Sequence, residues 1–287
     1  RSIEKSEHRD KIFRQIEETL QENKVQKAEE TMKKGLPYLP SYLGIAAILL
    51  VGILLSLIVL DWPGSHWSEY YTEAFTTITS DTGEVIDTQL PDGSTVWLST
   101  DSRIQYSNNF NDDERIITLR GEAYFDVIHN PEKPFIVNSG DVQARVLGTS
   151  FIVKSYPNEP TKVTLATGIV SVSAAGETQE SILTENQQIS HSKDSGFSDI
   201  KNVDASLEQA WKDKELIFVR ESFQDIASTF ERWYDVEFVF EDESLKEEVF
   251  VYHFKEYSLD KSMEVLNQMA SFDYEILDNR VIIDSKK

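Results

Sequence analysis

Nineteen consecutive residues without a charge, Tyr42 to Leu60 (YLGIAAILLVGILLSLIVL), constrain this chain more than any other feature. At about 1.5 Å rise per residue, a helix of that length covers roughly 28 Å, close to the ~30 Å hydrocarbon core of a bilayer. After Tyr42, one serine and two glycines interrupt an otherwise Ala, Leu, Ile and Val surface, leaving no polar stripe for solvent. The segment predicts a single-pass membrane protein spanning at residues 42–60. A buried core helix can share this composition, but usually over ~10 to 14 residues. A cleaved signal peptide fits less well, since the apolar run exceeds an h-region and Asp61-Trp62-Pro63 offers no small-residue cleavage site.

The flanks orient the span. Lys24, Lys27, Lys33 and Lys34 precede it, whereas Asp61, Glu69 and Glu73 follow. The positive-inside rule then places the N-terminus in the cytoplasm and the C-terminus in the periplasm of an inner-membrane protein. Trp62, Trp67, Tyr70 and Tyr71 are expected at the outer headgroup level, with Tyr38 at the inner one. Of the formal net charge of −22, the first 34 residues carry almost nothing, with nine Lys/Arg against eight Asp/Glu. The 19 basic and 42 acidic residues beyond the span make an ectodomain that repels nucleic acid, so no direct nucleic-acid partner is expected. Zero cysteines exclude a disulfide framework, so the exported folds must be held by their cores.

Composition divides the chain further. Residues 1–34 place Ile12, Ile16 and Leu20 at helical spacing with Phe13 beside them, an amphipathic tail whose apolar face needs a partner. More chain is expected upstream of Arg1. Residues 35–41 and 61–80 read as juxtamembrane segments on the two sides. From 81 to 190, short apolar runs (VIDTQL, TVWLS, RIITL, AYFDV, FIVNS, VQARVLG, SFIVKS, KVTLA, GIVSVS) alternate with turn signals such as Pro91-Asp92-Gly93 and Ser139-Gly140. That pattern predicts an all-β domain, either a sandwich or solenoid-like. Residues 191–210 read as a polar linker. Residues 211–287 read as a small α+β domain with a duplicated βαβ unit. In it, Ser222 and Ser258 cap helices facing inward through Phe223, Ile226, Ala227 and Phe230, then Leu259, Met263, Leu266 and Met269. Ser222 and Ser258, Phe223 and Leu259, Phe230 and Leu266, and Phe238 and Tyr274 each sit 36 positions apart.

The runs LPDGSTVWL (90–98), LRGEAYFDV (119–127), KPFIV (133–137), VLGTSFIV (146–153) and TLATGIVSV (164–172) resemble, in order and spacing, the FecR family of membrane-spanning sigma-factor regulators. The region from Ala210-Trp211 onward resembles the module that follows FecR domains in Bacteroidota proteins, related to the secretin and TonB short N-terminal fold. The likeness covers about residues 80–285. Ser99 departs from the usual Asn, and Glu185-Asn186 replaces a common Pro-Gly turn, a mild change because Asn tolerates the left-handed region. The resemblance implies an anti-sigma factor that binds a cytoplasmic extracytoplasmic-function sigma factor. It also implies that the periplasmic part reads the signalling domain of a TonB-dependent outer-membrane receptor, controlling nutrient-uptake genes without a cofactor. On that expectation Ile12, Phe13, Ile16 and Leu20 form the sigma-facing surface.

One family feature carries chemistry. Some relatives cleave themselves at a Gly-Thr bond, and Gly148-Thr149 is the matching dipeptide, although a glycine turn before a strand-start threonine is the favoured account of the residues, since the sequence shows neither strain nor a nearby base. The five histidines are scattered without metal-ligand spacing. Glu122 and Asp126 share a strand face and are expected to be solvated rather than paired for catalysis. Asp112-Asp113-Glu114 reads as a polar hairpin tip. For receptor docking, the expected site is an open sheet edge in the last domain, at Val249, Val251, Tyr252 and Phe254. A membrane-anchored periplasmic enzyme and an envelope scaffold are the alternative function classes. The first needs convergent acid/base residues, which the sequence does not display.

Overall fold

A computed structural model describes residues 74–286 except 179, 256 and 257. These belong to the second of two compact units, Thr72–Lys287. The amphipathic tail, with Ile12, Phe13, Ile16 and Leu20, and the Tyr42–Leu60 span lie outside the described residues. Among the described residues no helix is long and apolar enough to cross a membrane.

Fourteen strands form the first domain: β1 (Phe75–Ser80), β2 (Ile86–Gln89), β3 (Thr95–Leu98), β4 (Ser102–Ser107), β5 (Arg115–Asp126), β6 (Phe135–Ser139), β7 (Val142–Val146), β8 (Ser150–Ser155), β9 (Thr161–Thr167), β10 (Val170–Ala174), β11 (Ser181–Leu183), β12 (Gln187–Ser192), β13 (Gly196–Phe197) and β14 (Lys201–Asn202). They make two layers that share β5. The first layer runs β1-β4-β5-β6-β7-β10-β11, and the second runs β2-β3-β5-β8-β9-β12, with β13 and β14 closing on β12. Of the two expected all-β architectures, this is the sandwich.

Strand β5 builds both layers because it bends in its middle. Arg115–Thr118 pair in parallel with β6 and Thr118–Arg120 pair with β4, while Gly121–Asp126 pair with β8 and Ala123–Asp126 with β3. The RIITL and AYFDV runs, which the sequence presents as two strands, are therefore one. Side-chain parity survives the bend: Ile117, Leu119, Ala123 and Phe125 all enter one core with Val137, Ala144, Phe151, Val153, Leu165 and Val172 from both layers. The pivot is Gly121, at φ +96°, where a Cβ would lie 2.3 Å from Ser102 Oγ and 2.8 Å from Ser102 Cα. Only glycine tolerates both the dihedral and the contact.

The sandwich is wider than the sequence pattern indicates. β1 falls in the stretch read as juxtamembrane, but Phe75–Ser80 pair with Ser107–Ser102 along their whole length. Its Thr- and Ser-rich sequence shows too little apolar alternation to announce a strand. Likewise the supposed linker supplies β13 and β14, which pair with β12. His191 is buried there against Phe197, with its ring nitrogen 3.1 Å from Glu177.

The second domain contains helix α1 (Ala205–Glu208), a 3-10 turn at Ala210–Asp213, β15 (Glu215–Ser222), α2 (Phe223–Tyr234), β16 (Glu237–Phe240), a second 3-10 turn at Glu243–Glu247, β17 (Val249–Lys255), α3 (Leu259–Met269), β18 (Phe272–Leu277) and β19 (Arg280–Ser285). The order is βαβ followed by βαββ. Ser222 accepts from Asp225 N–H and Ser258 from Lys261 N–H, so both caps lie where their side chains satisfy a free helix-end donor. The repeats do not form one sheet: β15 pairs with β17, and β16, β19 and β18 form a separate three-stranded sheet in which β16 and β19 are parallel. Aromatic rings of α2 join the two. Phe223 lies 5.2 Å from Phe240 and from Phe250 and 5.0 Å from Phe272, while Phe230 reaches Phe218, Phe238 and Phe254. Met269, expected to face inward, is exposed at the C-terminal end of α3.

Replacing Gly121 by alanine is expected to lower unfolding free energy by about 3 kcal/mol or more, since it adds a steric overlap to an unfavourable dihedral. A denaturant midpoint unchanged from wild type would show that the bend does not require glycine.

Candidate functional site

Of the residues expected to dock a receptor, the structure brings together only some. In β17 the burial alternates, so Val249 and Val251 project outward at 56% and 58% exposure, whereas Phe254 is buried. Phe254 packs on Phe218 and Phe230, and Tyr252 is partly buried beside it, 4.6 Å between ring centroids. These two therefore hold the core, and the available surface is Val249 and Val251 with Val219 opposite Val251 in β15. A bulge between Val219 and Glu221, with Arg220 at φ +60°, twists this pair. Among the described residues β17 hydrogen-bonds in register with β15 alone, which leaves it an edge strand.

The Gly148-Thr149 dipeptide lies between β7 and β8 at one end of the sandwich. A Cβ on Gly148 would stand 2.3 Å from His129 Cα and 2.7 Å from His129 Nδ1, so close packing alone demands glycine. Thr149 is buried; its hydroxyl donates to Ile169 O at 3.0 Å, and Gly168 packs against it at φ +94°. The backbone around the dipeptide is held by a buried cation. Arg115 is 1% exposed and pairs with Asp92 at 2.9 Å, donating also to the carbonyls of Ile128, Lys133, Asn130 and Leu147. Asp92 accepts in turn from Ser94 N–H and Oγ, and Ser94 Oγ accepts from Ile128 N–H. The Asp-Gly-Ser turn of the sequence is thus a fixture of the loop cluster that presents Gly148. Arg115 carries no such signal in sequence, appearing only as a charge before an apolar strand.

A third site escaped sequence reasoning. The outward face of the second layer is roofed by the C-terminal domain: Trp97, Tyr124, Ile152 and Ala166 share a core with Trp211, Phe218 and Phe230. Lys212 lies over this face, its Nζ 3.5 Å from the Tyr124 ring centroid and 4.8 Å from that of Trp97, and burial pushes its ammonium pKa down. Beside it is a polar junction. The carbonyl of Arg232, in the last turn of α2, accepts from Thr100 Oγ1 at 2.7 Å and Gly83 N–H at 3.2 Å. The sandwich thereby satisfies a carbonyl that the helix end leaves free. The Arg232 guanidinium pairs with Glu159 at 2.6 Å and lies 4.0 Å over the ring of Tyr156, whose hydroxyl donates to Thr100 O.

Glu122 sits under this junction, so the expectation of a solvated strand face fails for it. Burial by the roof pushes its carboxyl up to about 7, opposed by Lys154. Asp126, four residues further along the same face, is exposed and accepts from Ser150 Oγ at 2.8 Å.

The described residues thus form a β-sandwich whose outer face is roofed by a split-sheet βαβ-βαββ domain. The chain belongs to the FecR family: the FecR protein description matches residues 76–171, and the FecR, C-terminal description matches residues 215–283. No curated protein matches it. It is similar to two crystal structures of a candidate anti-sigma factor from Parabacteroides distasonis ATCC 8503, at 2.50 and 1.65 Å resolution. Each is 28% identical with a TM-score of 0.69; they cover 75% and 74% of this chain and 100% of the matched chains.

Arg115→Met is expected to cost about 3–5 kcal/mol of stability, because it leaves Asp92 and several carbonyls buried without their donor. Denaturant unfolding within about 1 kcal/mol of wild type would contradict that role.

Proposed function

We propose that this protein is a transmembrane sigma-factor regulator of the anti-sigma type. In this reading its N-terminal tail holds an extracytoplasmic-function sigma factor through Ile12, Phe13, Ile16 and Leu20. The Tyr42–Leu60 segment crosses the inner membrane, and the two FecR modules take a signal from a TonB-dependent receptor in the periplasm. The observation that carries the reading is the order of parts: a charge-free stretch of membrane-spanning length followed directly by both FecR-family matches. The likeness to a candidate anti-sigma factor supports the sigma-regulating half of it.

The exposed Val219, Val249 and Val251 on β15 and β17 are the receptor-docking surface in this scheme, with the β17 edge accepting a strand. The relay needs no turnover chemistry. The Gly148–Thr149 bond stays intact, its glycine serving the contact with His129 and its threonine the bond to Ile169 O.

Alkaline phosphatase fused after Lys287 is expected to be active, and a fusion before the span inactive; the reverse pattern would overturn the topology. Ile16→Asp is expected to lower sigma-factor capture at least tenfold, and capture equal to wild type removes the tail assignment. Val251→Pro, in protein with unchanged circular dichroism, is expected to lose receptor capture. For the Gly148–Thr149 bond, a single full-length band is expected in both wild type and Thr149→Ala. Two fragments that Thr149→Ala restores to one would establish self-cleavage instead.

A further inference from the structure

We propose that the junction between the sandwich and the C-terminal domain is a latch, fastened by Arg232 and loosened in alkaline surroundings by the carboxylate of Glu122 beneath it. The inference goes beyond the signalling relay and does not depend on which partners it has.

The fastening is visible in the bonds. Arg232 is the point where three parts of the sandwich meet the second domain: Gly83 and Thr100 hold its carbonyl, Glu159 holds its guanidinium, and Tyr156 packs under the guanidinium. Gly83 stands at φ +73°, and a Cβ there would come within 3.0 Å of Trp233 O. The close approach of the two backbones is therefore built into the sequence at a glycine. The apolar remainder of the junction sets Trp97, Tyr124, Ile152 and Ala166 in one cluster with Trp211, Phe218 and Phe230.

The loosening follows from what surrounds Glu122. It points outward from β5 and pairs across the ladder with Lys154, whose Nζ lies 3.5 Å from the same Glu159 that holds the Arg232 guanidinium at 2.6 Å. Facing it are Lys154 from β8, Glu159 from the β8–β9 loop, Glu208 from α1 and Arg232 from α2. Two acids and two bases largely offset each other, so burial decides, and it pushes the carboxyl up to about 7. Undocking returns the carboxyl to water and toward the ordinary value of 4.5. The docked form thus holds the proton more firmly than the released form. Its contribution to docking is complete below the ordinary value and is lost as pH rises through about 7. From that shift, docking weakens roughly thirty-fold between pH 5.5 and 8.5.

Hydrogen exchange of the full chain in detergent reads this opening even where the open form is rare. After correction for intrinsic exchange, protection of Asp81–Glu84 and Glu231–Asp235 is expected to fall roughly thirty-fold from pH 5.5 to 8.5 in wild type. The β6–β7 hairpin should not follow. Glu122→Gln is expected to remain protected at both pH values. Arg232→Ala and the milder Thr100→Val are expected to lower protection of the same two segments at both, leaving the hairpin unchanged. Equal pH dependence in wild type and Glu122→Gln would overturn the role of Glu122. Unchanged protection in both Arg232→Ala and Thr100→Val would overturn the latch, while leaving the signalling relay standing.

Discussion

The bend of β5 at Gly121 is the constraint on which the rest of this two-domain unit depends. One twelve-residue strand contributes to both layers, so the two sheets are covalently continuous at their centre and cannot slide past one another. The bend is possible because Ser102 fills the space that a side chain at 121 would occupy. Its hydroxyl accepts from Glu122 N–H at 2.9 Å and donates to Thr100 O at 3.1 Å. The backbone groups that the bend pulls out of the ladder are thereby satisfied internally, as burial requires. Ser80 adds a second layer of the same kind, its hydroxyl reaching the carbonyls of Ser99 and Ser102.

This small polar knot also determines where the C-terminal domain attaches. Thr100, whose carbonyl receives the Ser102 and Tyr156 hydroxyls, turns its own hydroxyl the other way to cap α2 at Arg232. Beyond the bend, the outward residues of β5 change character from exposed Ile116, Thr118 and Arg120 to half-buried Glu122 and buried Tyr124. Parity is constant along the strand, so the change comes wholly from the roof. The outward face of this strand is solvated up to Arg120 and covered at Glu122 and Tyr124, and it emerges again at Asp126.

Much of the architecture was legible in the sequence where its physics is local. The inward positions of β5, β7 and β10 alternate as a half-buried strand must, and the caps of α2 and α3 fall at the two serines that begin the apolar helical pattern. The turn at Glu185-Asn186 behaves as its chemistry dictates, with Asn186 at φ +60°. What stayed hidden depends on contacts distant in sequence. β1 is a strand because β4 lies beside it, not because FTTITS alternates strongly. Tyr252 and Phe254 look like docking residues on an edge until α2 places Phe230 against Phe254, with Tyr252 packed on the same ring. Glu122 reads as a surface acid, and only a domain that begins some eighty residues later buries it. Arg115 likewise acquires its meaning from five acceptors spread over fifty-five residues of chain.

The junction between the domains joins two kinds of contact with opposite consequences. Trp97, Tyr124 and Ile152 against Trp211 supply non-directional attraction, which by itself would let the roof settle in several orientations. Trp211 Nε1 is buried there without a hydrogen-bond partner among the described residues, a sign that this apolar seat is not optimised for affinity alone. The Arg232 cluster fixes a single orientation, since a helix carbonyl, a guanidinium and an aromatic ring must all meet their partners together. Partly buried charges contribute little net attraction once desolvation is counted, and their removal one at a time is costly. A contact built this way is specific without being tight. That is the balance needed by an element held in one place by default and moved by a modest change in its surroundings.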